Sequence, residues 1–475
     1  MKDFRFSLRN AAVVIGCLAA SMLFSACNKG SSEKVIIDFR FVAQSAIGKI
    51  NETSKTIAVD VPYGTDVTEL IPLIEVSEKA KVNPASGAKQ DFTNSVVYTV
   101  TAENGSQVEY TVTVTVGGST GTELTDAMIN AGDKVLEAGI YLVTEWLTLR
   151  SPNKLTLSPG VTIKFANAAH LDVNENATLI AKGTATSPIL FTSAKSTPQA
   201  GDWGYVELKG NGSQLEYCTF EYGGGNAYGM VYATCNLTIK NCTFKNSKYA
   251  GLNLAEAASL TAFTDNQFNN CANSSDIADH PMQAERFNSL QNFGNGNAFA
   301  NSVANKGVLI KNANSSYLNK DVTLKKINVP YYLDGDTRIS ADAPTTLTIE
   351  AGVEIKMMKF AAIKVQRNGK LAAEGTSAAP IRITGVLDQK GYWDYISIED
   401  NASAGTILDN CEIINGGTAD KGAIYLDETR TEQATIKNCR IDKSLGYGIF
   451  FSPNADAVLE NNTFGTNCDK GGSNK

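Results

Sequence analysis

The segments Tyr217-Cys218-Thr219-Phe220, Asn241-Cys242-Thr243-Phe244 and Asn266-Gln267-Phe268 place their Phe residues 24 positions apart each time. Asn410-Cys411-Glu412-Ile413, Asn438-Cys439-Arg440-Ile441 and Asn462-Thr463-Phe464 repeat the pattern at intervals of 28 and 23. A period near 25, built from short apolar–polar alternations, leaves few folds open. A unit of that size cannot bury its own apolar face, so each must stack on the next and the chain winds into a solenoid. A longer repeat overlies the short one. Leu155–Lys164 (LTLSPGVTIK) returns as Leu347–Lys356 (LTIEAGVEIK), and Leu179–Thr184 as Leu371–Thr376. Pro188-Ile189 returns as Pro380-Ile381, Trp203 as Trp393, and Thr238–Cys242 as Thr435–Cys439. The offset stays between 190 and 197 residues, so the chain carries two related halves, about 123–275 and 315–475.

Asn precedes Cys242, Cys411 and Cys439, where a turn residue is needed. Asn tolerates left-handed backbone angles, and stacked Asn side chains can hydrogen-bond along a column. Cys, and the Phe or Ile two residues on, then point inward at like places in successive coils. The pattern resembles the right-handed β-helix repeat family over about residues 123–475. The resemblance implies an all-β chain whose main body is a right-handed parallel β-helix. At ~25 residues per coil and ~4.8 Å between strands, it would have about 14 coils and a length of roughly 65 Å. Residues Asp276 to Asn301 lack the coil pattern and are expected to form a longer loop and seam. Glu123 to Leu136 is expected to include a short helix that caps the open end.

Upstream, residues 35–117 alternate apolar and polar residues with period two. Ile57, Val59 and Val61 form one stripe, Val96, Tyr98 and Val100 a second, and Tyr110, Val112, Val114 and Val116 a third. Asn104-Gly105 favours a tight hairpin between the last two. The segment resembles the Ig-like modules found near the N-terminus of Bacteroidetes surface lipoproteins. That implies a small β-sandwich serving as a spacer, with a direct binding role left open. Residues 118–122 read as a flexible linker. At the start, Lys2, Arg5 and Arg9 precede an apolar run from Ala11 to Phe24, too short to span a bilayer. Phe24-Ser25-Ala26-Cys27 resembles a bacterial lipobox. It implies that residues 1–26 are a signal peptide, that Cys27 takes lipid, and that residues 27–34 are a tether on the outer membrane.

The full chain has 42 basic and 49 acidic side chains; losing Lys2, Arg5, Arg9 and Asp3 with the signal leaves 39 against 48. An acidic chain with no basic run is a poor partner for nucleic acid. Two histidines exclude a multi-histidine metal centre. Beyond Cys27 seven cysteines remain, an odd number. Cys218 with Cys242, and Cys411 with Cys439, would sit one coil apart. That separation permits a disulfide but disfavours its torsion, and the alternative is a column of buried thiols. Inverting pectinases of this fold use clustered aspartates with a Gly-His-Gly step. Here there is no Asp-Asp pair, and neither histidine is flanked by glycines. The arginine motif of pectate lyases is absent, and no acidic run resembles a calcium loop. No cofactor is expected.

One duplicated stripe remains. Val206 and Leu208 should face inward, which by alternation turns Trp203, Tyr205 and Glu207 outward. Trp393, Tyr395 and Glu399 repeat this around Ile396 and Ile398, with Glu221 and Tyr222 nearby. Aromatic faces beside carboxylates suit sugar rings. The competing reading has each Trp packing across a coil turn; the second half departs from the Trp-Gly step with Asp394 after Trp393. The leading expectation is a monomeric cell-surface lipoprotein that binds a polysaccharide or surface glycan, or adheres, without catalysis. The alternatives are a polysaccharide lyase or glycoside hydrolase, and a structural scaffold.

Overall fold

The computed structural model describes residues 30–44, 46–61, 65–116, 121–272, 279–300, 306–311 and 317–475. The signal segment 1–26, Cys27, the first residues of the tether and most of the linker lie outside the described residues. What is described divides into two compact units, which meet in sequence near residue 117.

The first unit is a two-layer sandwich. A three-stranded sheet holds Ala46–Ile47, Ile36–Phe41 and Leu73–Val76 in that order. A five-stranded sheet holds Lys49–Asn51, Thr56–Val61, Gln107–Val116, Val96–Thr101 and Lys81–Asn83. Neighbours are antiparallel except Thr56–Val61, which runs parallel to Gln107–Val116. Ile57, Val59, Val61, Tyr98, Val100, Tyr110 and Val112 point into one core with Ile36, Phe39 and Phe41. Asn104-Gly105 makes the expected hairpin, with Gly105 at φ +85°, where a side chain would be strained.

The second unit is a parallel β-helix with three strands per coil. One sheet runs its whole length, 13 strands from Trp146–Leu149 to Thr463–Phe464. At ~4.8 Å per step that is roughly 58 Å. In the first half it is joined by an eight-stranded and a six-stranded sheet, and in the second half by two other six-stranded sheets. The interior is filled by like on like. Phe191, Phe220, Phe244, Phe268 and Phe299 stack in register with centroids 4.4, 5.3, 4.7 and 4.8 Å apart. Asn241, Asn410 and Asn438 take positive φ at the turns. Asn266 accepts from the Cys242 amide at 2.9 Å and donates to Asn297 at 3.0 Å. Thr125 caps a single helical turn, Asp126–Ile129, at the first coil.

One expectation needs correction. Residues 276–301 were expected to be a loop, but the described part continues the coils. Met282–Ala284 pairs in parallel with Leu252–Leu254 and Val308–Ile310, and Ala298–Ala300 pairs with Gln267–Cys271. The pattern is hidden because one strand position is a 3-10 turn, Phe287–Leu290, and the outward Asn253 and Gln283 are buried polar residues. The two halves are not stacked face on face. Val161–Phe165 lies in the eight-stranded sheet, whereas its counterpart Glu354–Met357 lies in the 13-stranded one. His170–Val173 lies in the 13-stranded sheet, whereas Ala362–Val365 lies in a sheet of the second half alone. Counting the 3-10 turn as a strand position, the copies are 22 positions apart, seven coils of three plus one. Equivalent residues therefore emerge on neighbouring faces.

All seven described cysteines are buried thiols. Burial pushes the Cys235 and Cys271 thiols up to about 12. In the unfolded chain they ionise near the ordinary value of 9.0. From about pH 9 upward the unfolded chain releases protons that the folded chain keeps, so stability falls as pH rises towards 12. The expected result is a urea midpoint lower at pH 11 than at pH 8. At pH 8, residues 28–475 should react with Ellman's reagent only after denaturant is added; rapid native labelling would contradict the buried column.

Candidate functional site

On the outer surface of the 13-stranded sheet, in the first half, five rings form a contact chain. Trp146 opens the first strand of that sheet and His170 the second, in register. Tyr205 lies opposite His170, its carbonyl accepting from the Leu171 amide at 3.1 Å. Tyr228 sits on the turn that leads to the next strand, Val231–Ala233, and Tyr232 is within it. Ring centroids are 4.7 Å apart from Trp146 to His170 and 4.7 Å from His170 to Tyr205. They are 5.6 Å apart from Tyr205 to Tyr228 and 4.7 Å from Tyr228 to Tyr232. Beside the rings runs a second outward column, Asp172, Glu207 and Tyr232, on successive strands.

The column is polar and partly enclosed. Asp172 is 4% exposed, and its Oδ2 accepts from Trp146 Nε1 at 3.0 Å. Its Oδ1 is buried with no hydrogen bond among the described residues. Glu207 pairs with Lys209 at 2.8 Å. Burial, then the charges of Asp172 and Glu207, push the Tyr205 hydroxyl up to about 12, so it stays protonated as a donor. The strip therefore offers ring edges, a neutral hydroxyl and the Glu207 carboxylate on the outer face of the sheet, with Asp172 buried behind them.

The residues read from the sequence are scattered relative to this strip. Tyr205 and Glu207 belong to it. Trp203 and Trp393 do not face outward: both are fully buried. Trp203 lies three residues before the strand Val206–Leu208, outside its regular alternation. Its ring stacks on Phe165 at 4.4 Å, and its Nε1 donates to the Glu221 carbonyl at 2.8 Å. Trp393 repeats this, with Nε1 donating to the Ile414 carbonyl at 2.9 Å. The glycine steps follow from the indoles: a Cβ on Gly223 would lie 2.4 Å from the Trp203 ring, and one on Gly416 2.5 Å from that of Trp393. Glu221 ends a strand of the eight-stranded sheet and is paired to Lys245 at 2.8 Å, and Tyr222 follows it at the turn with φ +63°.

Tyr395 and Glu399 are not on the long sheet either, because the second half is turned by one face. The Tyr395 ring is covered by the Lys421 ammonium at 4.6 Å, which also lies 4.1 Å from the Tyr425 ring. Glu399 accepts from Gln366 at 2.5 Å and lines a groove of about 430 Å³ with Tyr317, Arg367 and Asn401. Burial and the neighbouring Asp336 raise the carboxyl of Asp394 above the ordinary range. Among the described residues, no group of three His, Cys, Asp or Glu side chains converges to hold a metal ion.

The sequence reasoning missed Trp146, His170, Asp172, Tyr228 and Tyr232. A signal for three of them exists: Trp146-Leu147-Thr148-Leu149, His170-Leu171-Asp172-Val173 and Tyr205-Val206-Glu207-Leu208 share a ring, then apolar, polar, apolar. Unequal spacings of 24 and 35 residues, the second stretched by the segment 194–204, conceal it.

Residues 36–114 match the family model described as "SGBP, N-terminal". The SGBP domain is the N-terminal domain of surface glycan-binding proteins, and it coincides with the sandwich unit. Residues 127–229 match the "Pectate-lyase like beta helix domain", and residues 306–474 the "Right handed beta helix region". Similar solved structures include a Bacteroides thetaiotaomicron protein described provisionally as a glycoside hydrolase, 30% identical over 22% of this chain, with a TM-score of 0.17. The SGBP-bearing chain spans only 28% of that protein's length. Another is Dex49A from Penicillium minioluteum (8% identity, 84% of this chain and 78% of that one, TM-score 0.19). A third is the Family 28 exopolygalacturonase of Yersinia enterocolitica (12% identity, 85% of each chain, TM-score 0.17). No curated protein matches the chain.

Proposed function

We propose that this is a cell-surface glycan-binding protein that holds polysaccharide without cleaving it, anchored by lipid on Cys27 and working as a monomer. The observation that carries the reading is the strip of five rings flanked by Asp172 and Glu207 on the one sheet that runs unbroken through the β-helix. The SGBP match over residues 36–114 supports it independently. A polysaccharide laid across the strip meets apolar ring edges, the protonated Tyr205 hydroxyl and the Glu207 carboxylate as acceptor for its own hydroxyls. Tyr205→Ala combined with Glu207→Gln is expected to weaken retardation in polysaccharide-containing native gels by about tenfold. Charge-assisted hydrogen bonds contribute roughly 1.5–3 kcal/mol each where they are desolvated. A double variant that migrates like the parent in every polysaccharide gel would remove the strip from the binding surface.

One observation favours a second reading, a glycoside hydrolase or polysaccharide lyase. Asp394 is half-buried near the second carboxylate Asp336, and its raised carboxyl is the profile of a general acid. Release of reducing ends or unsaturated products, abolished by Asp394→Asn, would establish that reading over the first.

A further inference from the structure

We infer that the free end of the ring strip, at Trp146, is the seat of an uncharged sugar ring; this rests on the glycan-binding reading and adds a place and a charge class to it. Along the strip the rings cover one another: His170 lies 19° from parallel with Tyr205 and is tilted 46° to Trp146. His170 has a ring 4.7 Å away on each side and offers only its edge. An open face is expected where the row of rings ends. The strand Trp146–Leu149 is the first of the 13-stranded sheet, and among the described residues no strand pairs with its outer side. Trp146 is accordingly 62% exposed, whereas Trp203 and Trp393 are fully buried.

The indole is also held in place. Its Nε1–H donates to Asp172, itself 4% exposed, so a ligand stacking on it orders little that is not already ordered. Trp146 also lines a groove of about 270 Å³ with Glu123, Thr125, Asp126, Thr144 and Glu145. Asp126 is engaged by Arg150 at 2.5 Å and by the Thr148 amide at 2.8 Å, and Glu123 accepts from Thr144 at 2.7 Å. Glu145 is exposed and makes no hydrogen bond among the described residues. The groove thus pairs an open aromatic face with acceptors in excess. Three carboxylates line it, those of Glu123, Asp126 and Glu145, and one guanidinium, that of Arg150, pairs with Asp126. A neutral ring meets both needs, its CH face on the indole and its hydroxyls donating to carboxylates. A uronate chain would bring like charge into the groove.

Tryptophan emission tests this directly, since Trp146 is the one exposed indole of three. The full chain is titrated with galactomannan, mixed-linkage β-glucan, dextran and polygalacturonate, with iodide quenching before and after. At least one neutral polysaccharide should bind, shift the emission and shield it from iodide. Trp146→Ala, measured well below its own unfolding midpoint, should lose at least tenfold in affinity, and Trp146→Tyr should recover most of the loss. Neutral binding that leaves emission and the Trp146→Ala affinity unchanged would overturn this seat while sparing the glycan-binding reading. Preference for polygalacturonate would overturn the charge class. Binding to none of the four would overturn the seat together with the reading beneath it.

Discussion

Replacing Trp203 with alanine is expected to destabilise the β-helix by about 3–5 kcal/mol, the usual cost of removing a large buried aromatic side chain. Three losses add. The indole is fully buried, so its apolar area returns nothing to solvent in the native state. It leaves a hole beside Phe165, whose ring it covers at 4.4 Å with planes 13° apart. It also abandons the Glu221 carbonyl that accepts from its Nε1 at 2.8 Å. The chain around it cannot collapse into the space, because Gly223 and Gly225 already lie against the indole residue's ring and backbone. The check is urea unfolding followed by far-ultraviolet circular dichroism, since fluorescence would change for trivial reasons. Hydrogen exchange should quicken first in Val161–Phe165, Ile189–Ser193 and Val206–Leu208, because repeat architectures open locally. A cost below about 1 kcal/mol would mean that the indole does not fill this corner. Polysaccharide binding, measured well below the midpoint, should not change, which separates packing from contact.

Phe244→Ala should cost a similar amount, again about 3–5 kcal/mol. Phe244 is the middle of the five-ring column, with Phe220 at 5.3 Å on one side and Phe268 at 4.7 Å on the other. Both neighbours are fixed by their own stacking and by backbone pairing within the eight-stranded sheet, so neither can move into the gap. A ring stacked on both sides also forfeits two aromatic contacts, about 0.5–1.5 kcal/mol apiece beyond area. Phe299, at the end of the column and with one stacked partner, should cost less. Phe360, which is 64% exposed, should lie within about 0.5 kcal/mol of the parent. Equal effects at Phe244 and Phe360 would contradict the column as the source of stability.

The sequence by itself determined the coil. In a parallel stack every position is answered by the same position one turn away, so the Phe column, the in-register cysteines and the Asn turns are written as repeats along the chain. Ile57, Val59 and Val61 announced the sandwich for the same reason: a strand's two faces follow from local alternation alone. The site was only half visible. Tyr205 and Glu207 follow from the strand Val206–Leu208, but Trp203 stands outside that strand, where the loop before it decides direction and sends the indole inward. Only the tertiary structure decided which faces the two halves share, because an offset of 22 strand positions is not a whole number of three-stranded coils. That remainder of one strand separates Tyr395 and Glu399 from Tyr205 and Glu207. It is a property of winding summed over seven coils, which no short stretch of residues carries. The meeting of Trp146, His170 and Tyr205 is of the same kind: unequal loops cancel in space because hydrogen bonding between strands, and not spacing along the chain, sets their register.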